Sequence, residues 1–383
     1  MSPQNSPAAL IETHFGSLRD PRAEHSILHK LMDILIITIC GVICGADNFV
    51  EIVEYGREKE EWLKTFLELA NGIPSVDTFE RLFGRLKPEA LQICFISWME
   101  AVNERTNGEF INVDGKTLRG AKEAGNKRSL IHMVSVWSAS QHLVLGQKKV
   151  DEKSNEITAI PSLLEMLSLQ DCIVSIDAMG CQTEIANTII EQGADYVLAL
   201  KGNQGNLHED VQELFTLARE QNFKNIDHQF WETVEKGHGR METRRYWTMS
   251  NTEHLIGAEK WRDLRSIGMV ESQRTVNGIT STERRYYLLS LENDVHKFSE
   301  SVRNHWSIEN QLHWILDVGF KEDAAQCCRG YSAENLAVIR HIGLNLLSRD
   351  KKTKVGVKAK RLKAGWNNNY LKTILSALNI VIA

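Results

Sequence analysis

Residues 171–180 read DCIVSIDAMG, an unbroken apolar run that ends on Asp177. A run without polar alternation is what a strand covered on both faces requires. Residues 110–115, FINVDG, have the same form, with Asp114 closing the strand and glycine following it. An acid at the end of a buried strand adds nothing to packing. For one such acid, a side chain folded back into an Asx turn is explanation enough. Two of them in one sheet admit a second account. On neighbouring strands their carboxylates would lie a few ångströms apart, which is costly unless a cation bridges them.

Around these two strands the pattern alternates between periods of two and of three to four. FINVDG is followed by LIHMVSVWSAS and LVLGQKKVD, two further strands, and then by the helical NEITAIPSLLEMLSL. The run ending at Asp177 comes next. CQTEIANTIIEQG is a helix closed by Gly193, and ADYVLALKGNQG is another buried strand. The order β-β-β-α-β-α-β predicts an α/β fold whose mixed sheet joins a three-stranded meander to parallel crossovers. Residues 1–105 carry apolar side chains at helical spacing and predict an N-terminal helical domain. Ser75 is placed to cap VDTFERLF, and residues 49–69 read as one helix. The core's first part is expected at 106–202. A β-rich antiparallel insertion is expected at 203–291, with VNGIT as a turn signal. Residues 292–349 return to the core with helices at 298–318 and 332–348, and 350–383 form a basic C-terminal segment.

The 383 residues are 42% hydrophobic and 25% charged with 6 prolines, an ordinary globular composition. The formal net charge of -5 gives no global attraction to nucleic acid, so an anionic partner must meet local basic patches. Seven cysteines, with no CxxC pair, are expected to be reduced thiols of a cytoplasmic protein. MSPQNSPAALIETHF has neither a basic leader nor an apolar signal core. The most apolar stretch, Ile34–Ala46, has 13 residues where a membrane span needs about 20, and reads as a buried helix.

Residues 302–323, VRNHWSIENQLHWILDVGFKED, crowd two histidines, two tryptophans and four acids onto one helix. His305, Glu309, His313 and Asp317 recur at steps of four and share a face. Three accounts compete: a zinc or iron site, a solvated face of i,i+4 pairs, or Glu309 as a third carboxylate beside Asp114 and Asp177. There is no HExxH for the first, and the tryptophans sit badly with the second.

Six ordered blocks, VDGKTLRG, DEKSNEITAIPSLLEML, IDAMGCQ, YVLALKGNQG, EKGHGRMETR and RNHWSIENQLHWILDVGFKED, together resemble the DDE transposases of bacterial insertion sequences. The likeness is to the ISAs type, which includes the H-repeat-associated proteins, and runs from about Leu28 to Leu375. The resemblance implies an RNase H-like core with a β-rich insertion. In it Asp114, Asp177 and Glu309 hold two Mg²⁺ ions, with Mn²⁺ able to substitute. It further implies metal-dependent cleavage of double-stranded DNA, 3′-OH strand transfer at the terminal inverted repeats, and a homodimer on transposon-end and target DNA in the bacterial nucleoid. One departure stands out. Related transposases carry Tyr-x2-Arg-x3-Glu-x6-Lys around the glutamate; here those places hold Val302, His305, Glu309 and Leu316. Arg303, His305 and His313 are the candidates to take over DNA contacts.

DNA would be held by local cations. Residues 349–372 carry nine Lys/Arg against one acid, a net of +8, with Lys358, Lys360, Arg361 and Lys363 read as exposed. A second patch holds Lys236, His238, Arg240, Arg244 and Arg245. Lys201 and Asn203 after the last core strand, and Lys116 and Arg119 beside Asp114, are further candidates. Two rivals share these residues: an RNase H-like nuclease without strand transfer, and a DNA-binding descendant without catalysis. A two-carboxylate glycosidase fits the basic clusters poorly.

Overall fold

The computed structural model describes residues 13–102, 108–122, 130–150, 156–237, 240–250, 252–276, 278–325 and 329–376. Helices α1 (Leu31–Ile43), α2 (Phe49–Glu58), the single turn α3 (Glu60–Leu63), α4 (Val76–Arg85) and α5 (Pro88–Val102) come first. Strands β1 (Phe110–Lys122), β2 (Leu130–Ser138) and β3 (Leu143–Lys149) follow. Next are α6 (Glu156–Leu164), β4 (Ile173–Ile176), α7 (Thr183–Glu191) and β5 (Asp195–Leu200). The α/β order read from the apolar runs is therefore the order observed.

Helix α8 (Asn206–Glu220) leads into β6 (His228–Gly237), β7 (Arg240–Met249), β8 (Ser266–Val276) and β9 (Ile279–Leu289). These four strands do not form a sheet of their own. β9 pairs antiparallel with β5, Val197 opposite Leu289, so one nine-stranded sheet runs β3-β2-β1-β4-β5-β9-β8-β7-β6. β4 has all four residues buried, as its apolar run requires.

Helix α9 (Val295–Ser307), capped by Asp294, crosses the sheet face. It packs Phe298 and Val302 with Ile173, Val197, Tyr246, Val270 and Tyr287 into a second core. On the main core, α11 (Ser332–Arg349) is buried from Ser332 to Leu347 and packs against α1, α4, α5 and β3. That burial fastens the N-terminal helices to the sheet. Helices α12 (Val357–Trp366) and α13 (Asn368–Leu375) close the chain.

Ser75 caps α4 as its sequence predicts, accepting from Thr78 N. Two helices differ from their expected form. Residues 49–69 break at Lys59, which ends α2 and begins α3. The expected helix at 298–318 starts at Val295 and passes through a π-helical segment, Ile308–His313, before α10 (Trp314–Gly319). The apolar Ile34–Ala46 lies in and just after α1, and among the described residues no helix is long and apolar enough to cross a membrane.

Candidate catalytic site

β1 and β4 pair in parallel from Phe110 opposite Ile173 to Val113 opposite Ile176. Asp114 and Asp177 are the next residue on each strand, side by side where neighbouring strands run about 4.8 Å apart. β4 ends there, but β1 runs on to Lys122 beside β2, so Asp114 does not close its strand as its sequence suggested. Both also accept from backbone amides that follow them. Asp114 Oδ1 accepts from Gly115 N at 2.8 Å, and Asp177 Oδ1 accepts from Met179 N at 3.0 Å and Gly180 N at 3.3 Å. The turn account and the paired-acid account thus hold together for Asp177, whereas Asp114 sits inside β1 and forms no turn.

Glu309 comes to this end of the sheet on the π segment, where Trp314 N donates to Glu309 O, five residues back. Single π turns are often found at functional sites. Beneath the acids a buried polar network ties this segment to both strands. Asn112 and Ser175, each two residues before an aspartate and so on its face of the sheet, are joined by Ser175 Oγ donating to Asn112 Oδ1 at 2.7 Å. Asn112 Nδ2 donates to Asn304 O at 2.7 Å and to Ser307 Oγ at 3.3 Å, and Trp137 Nε1 reaches Ser307 Oγ at 3.1 Å. With its proton committed, Ser175 Oγ accepts from His305 Nδ1 at 3.0 Å. None of these four network residues, Asn112, Ser175, Ser307 and Trp137, stood out in the sequence.

Burial is the main influence on Asp114, whose carboxyl is pushed up to about 7; Asp177, Glu309 and Glu156 add to it, and the Gly115 amide opposes. Glu156 opens α6 against Gly115, where a Cβ would meet its Oε1 at 2.1 Å. It is a fourth carboxyl of the site, itself raised by burial and by Asp177, and sequence reasoning missed it. His313 Nδ1 lies 3.5 Å from Asp114 Oδ2. Burial first, then Lys116, lowers His313 to about 4, so this is a contact of a neutral ring, not an ion pair.

The raised carboxyl has a consequence for stability. Folded Asp114 keeps its proton to about pH 7, while the unfolded chain loses it near the ordinary carboxyl range. The stability it contributes is therefore fully present at low pH and lost as pH rises through about 7. In a chelator, Asp114→Asn is expected to melt higher than the parent above about pH 7, with the gap closing towards about pH 4. Thermal melts across that range check this; a gap independent of pH would contradict it.

A cleft of about 560 Å³ opens here, lined by Asp177, Lys201, Arg285, His305, Trp306 and Glu309 among others. The Arg285 guanidinium lies 5.1 Å from the centre of the Trp306 ring. Among the described residues, no three His, Cys, Asp or Glu side chains stand as a closed ion-binding group. Two of the acids are instead turned towards their own backbone amides, as described above.

The cationic candidates divide. Lys201 is exposed on the cleft wall and Lys236 is also exposed; Arg119 is exposed too, with its Nε 3.7 Å from Asp323 Oδ2. Lys358 is exposed on α12. Others are engaged within the protein. Lys116 pairs with Asp317 and, at 2.8 Å, with Glu322. Asn203 Nδ2 is given to Ala178 O at 2.8 Å, which pins the turn after Asp177. Arg244 is mostly buried between Glu235 and Glu242, Arg245 pairs with Glu232 and Glu271, and Arg303 pairs with Glu235 at 2.8 Å. Lys363 sits over the Tyr370 ring. His305 is held neutral by burial, which removes it as a cationic contact. His238 and the side chain of Arg240 lie outside the described residues.

Lys360 and Arg361 correct the expectation that the C-terminal cations are all exposed. Both are buried, at 6% and 4% of full exposure. Lys360 Nζ donates to Leu347 O and Asp350 O at the end of α11, and Arg361 is spent on carbonyls of α1, its following loop and α10. Alternation of Lys and Arg along the chain could not show which of them turn inwards.

A family model described as the transposase DDE domain matches residues 106–346, and a DDE-transposase-associated model matches 12–99. The chain belongs to the DDE transposase family. It is 42% identical over 368 residues to "Putative transposase YncI" of Escherichia coli O157:H7, covering 95% of this chain and 94% of that one. It is 39% identical over 368 residues to "H repeat-associated putative transposase YhhI" of Escherichia coli strain K12, covering 95% and 97%. A Xanthobacter autotrophicus protein, "Uncharacterized protein in dhlA 3'region", is 44% identical over 280 residues, 72% of this chain and 92% of its own. The H-repeat likeness read from the six sequence blocks is thereby shown, and with it an α/β transposase-domain fold.

Proposed function

We propose that this DDE transposase cuts DNA at the terminal inverted repeats of an insertion sequence and joins the freed 3′-OH to target DNA, working as a homodimer. Asp114, Asp177 and Glu309 are its metal-holding acids. The observation that carries this is the strand register that sets Asp114 and Asp177 side by side, with Glu309 and Asp177 in one cleft. The donor set suits the ion: these acids offer only hard oxygen ligands, which Mg²⁺ and Mn²⁺ prefer. The effect of Asp177 and Glu309 on the Asp114 carboxyl marks a place where positive charge is favoured.

When bound, Mg²⁺ would supply an activated oxygen nucleophile and charge neutralisation at the phosphate. The chain's own residues do the rest. Asn112, Ser175 and His305 hold the catalytic segment against the two strands, so that Glu309 keeps its distance from the aspartates. His305 and His313, both neutral, fill space without competing for the phosphate. Lys201 stands on the cleft wall where a backbone phosphate would lie. Trp306, 42% exposed, offers a ring face at the same opening.

The test is a joining reaction. Purified protein is mixed with duplex DNA bearing the element's ends, a supercoiled target plasmid and Mg²⁺. End cleavage followed by covalent 3′-OH joining is expected. Cleavage without joining would move the assignment to a nuclease, and DNA binding with no metal-dependent cutting would move it to a non-catalytic DNA-binding protein.

A further inference from the structure

On the other flank of the catalytic segment lies a second pocket of about 560 Å³. Gln311 and Ile315 form its wall on that segment; Gln311 is two residues from Glu309 and so points to nearly the opposite side of the helical turn. Trp137 contributes from β2, His142 from the β2–β3 connection, and Lys351 and Lys354 from the loop before α12. Both lysines are exposed, and neither side chain forms a salt bridge or hydrogen bond among the described residues. The Lys351 charge reaches His142, whose pKa is lowered first by burial and then by that lysine. Asp350 also lines the pocket but is already used. It accepts from Lys352 N, Thr353 N and Tyr370 Oη. The first turn of α12, at Gly356 and Val357, opens onto the same space with no side-chain cap.

We infer that this pocket is a second phosphate site, which takes a backbone phosphate of the bound DNA strand outside the cleavage cleft. The inference rests on the proposed DNA-cutting function and names a contact that function needs. Two unpaired ammonium groups beside a partly buried imidazole, on a chain of net charge -5, are complementary to a phosphodiester and to little else in this protein. The lysine loop follows α11, and the pocket shares the catalytic segment as a wall. A phosphate held here would fix the DNA path on one side of that segment while Asp177 and Glu309 face the other. The Trp137 and Ile315 side chains give the site a floor that shields the charges from bulk water. The net positive charge of 349–372 is thereby narrowed from a segment to a place. Lys360 and Arg361 support the fold; Lys351 and Lys354 meet the DNA.

The test compares two double variants of equal charge change in the full chain: Lys351→Gln with Lys354→Gln, and Lys224→Gln with Lys260→Gln, two exposed lysines that do not line the pocket. DNA affinity is measured against salt, and metal-dependent cleavage is followed at saturating DNA. The pocket variant is expected to flatten the log–log salt slope by about 1 to 2 units, since each phosphate neutralised adds about 0.9, while the other variant leaves it nearly unchanged. Cleavage at saturating DNA should persist in both. The His142 ring resonances of the parent should shift with duplex DNA at concentrations where inorganic phosphate alone has little effect. Equal flattening in both variants, or none in either, overturns the inference. So does saturation of the His142 shift by inorganic phosphate with no change of DNA slope, which would mark a small-anion pocket. If the parent binds DNA but never cuts it, the catalytic reading fails and the salt slopes still decide the pocket. If it binds no DNA, both fail.

Discussion

Asp177→Ala is expected to bind DNA as tightly as the parent and to cut it more slowly by roughly a thousandfold or more. That is a loss of about 4 kcal/mol of barrier lowering, at about 1.36 kcal/mol per tenfold. The reason is a division of labour. On the proposed reading the acid holds metal and the exposed lysines hold phosphate, and the lysines are untouched. What the substitution removes is one of two carboxylates set side by side on adjacent strands, and with it the proposed metal ligand that lines one cleft with Glu309. It also removes the acceptor for Met179 N and Gly180 N, so a change in activity could reflect a loosened turn. Asp177→Asn separates the two effects, because its amide oxygen can still accept both bonds while the charge is gone. Both variants should be inactive, and Asp177→Asn should melt near the parent. Substantial Mg²⁺-dependent cutting by either would remove Asp177 from the site.

The two aspartates were legible because each ends an apolar run where packing has no use for an acid. That signal is local, and it led to adjacent strands. Glu309 was legible only in combination. Its own helix offered a metal site, a solvated face or a third carboxylate, and the choice needed the resemblance of the whole block. Other features have no local signal at all. The pairing of β9 with β5 joins residues 197 and 289, and nothing in either strand announces the other. The π segment is invisible to a period count, because its widened turn still leaves His305, Glu309, His313 and Asp317 on the side facing the strands: His305 meets Ser175, His313 meets Asp114 and Asp317 meets Lys116. Glu156 sat inside a quoted block and looked like an ordinary residue of a helix's first turn. The C-terminal cations were misread for a physical reason. Charge runs are usually solvated, and the exception here depends on carbonyls that the fold leaves unpaired at distant helix ends.

Arg361 is where that exception matters most, and Arg361→Ala is expected to cost about 3–5 kcal/mol of stability. Its Nε donates to Val42 O at 2.9 Å in the last turn of α1, and its Nη2 donates to Ala46 O at 3.1 Å. Nη1 donates to Gly319 O, which ends α10, and Nη2 also reaches Asp47 Oδ1 at 3.0 Å. The guanidinium lies 4.3 Å from the centre of the Phe320 ring. One side chain thus satisfies carbonyls at the ends of an N-terminal helix and of the helix that follows Glu309, and holds both to α12. Carbonyls at a helix end have no partner within the helix, and burying them unpaired is costly. Truncation strands Ala46 O and Gly319 O, leaves Val42 O with only Gly45 N at 3.3 Å, and leaves the largely buried Asp47 with only the exposed Lys321, 3.1 Å away. Lysine cannot replace the arginine, since a single ammonium does not span the three directions of the fork. With an unfolding entropy of about 2.1 cal/mol/K per residue, the cost corresponds to a melting point about 4–6 °C lower if the 383 residues unfold together. Lys358→Ala, three residues earlier on α12 and exposed, should change stability by less than about 0.5 kcal/mol. Denaturant and thermal unfolding of Arg361→Ala, Arg361→Lys and Lys358→Ala give the comparison. An Arg361→Ala protein as stable as the parent would return Arg361 to the solvated segment from which its burial removes it.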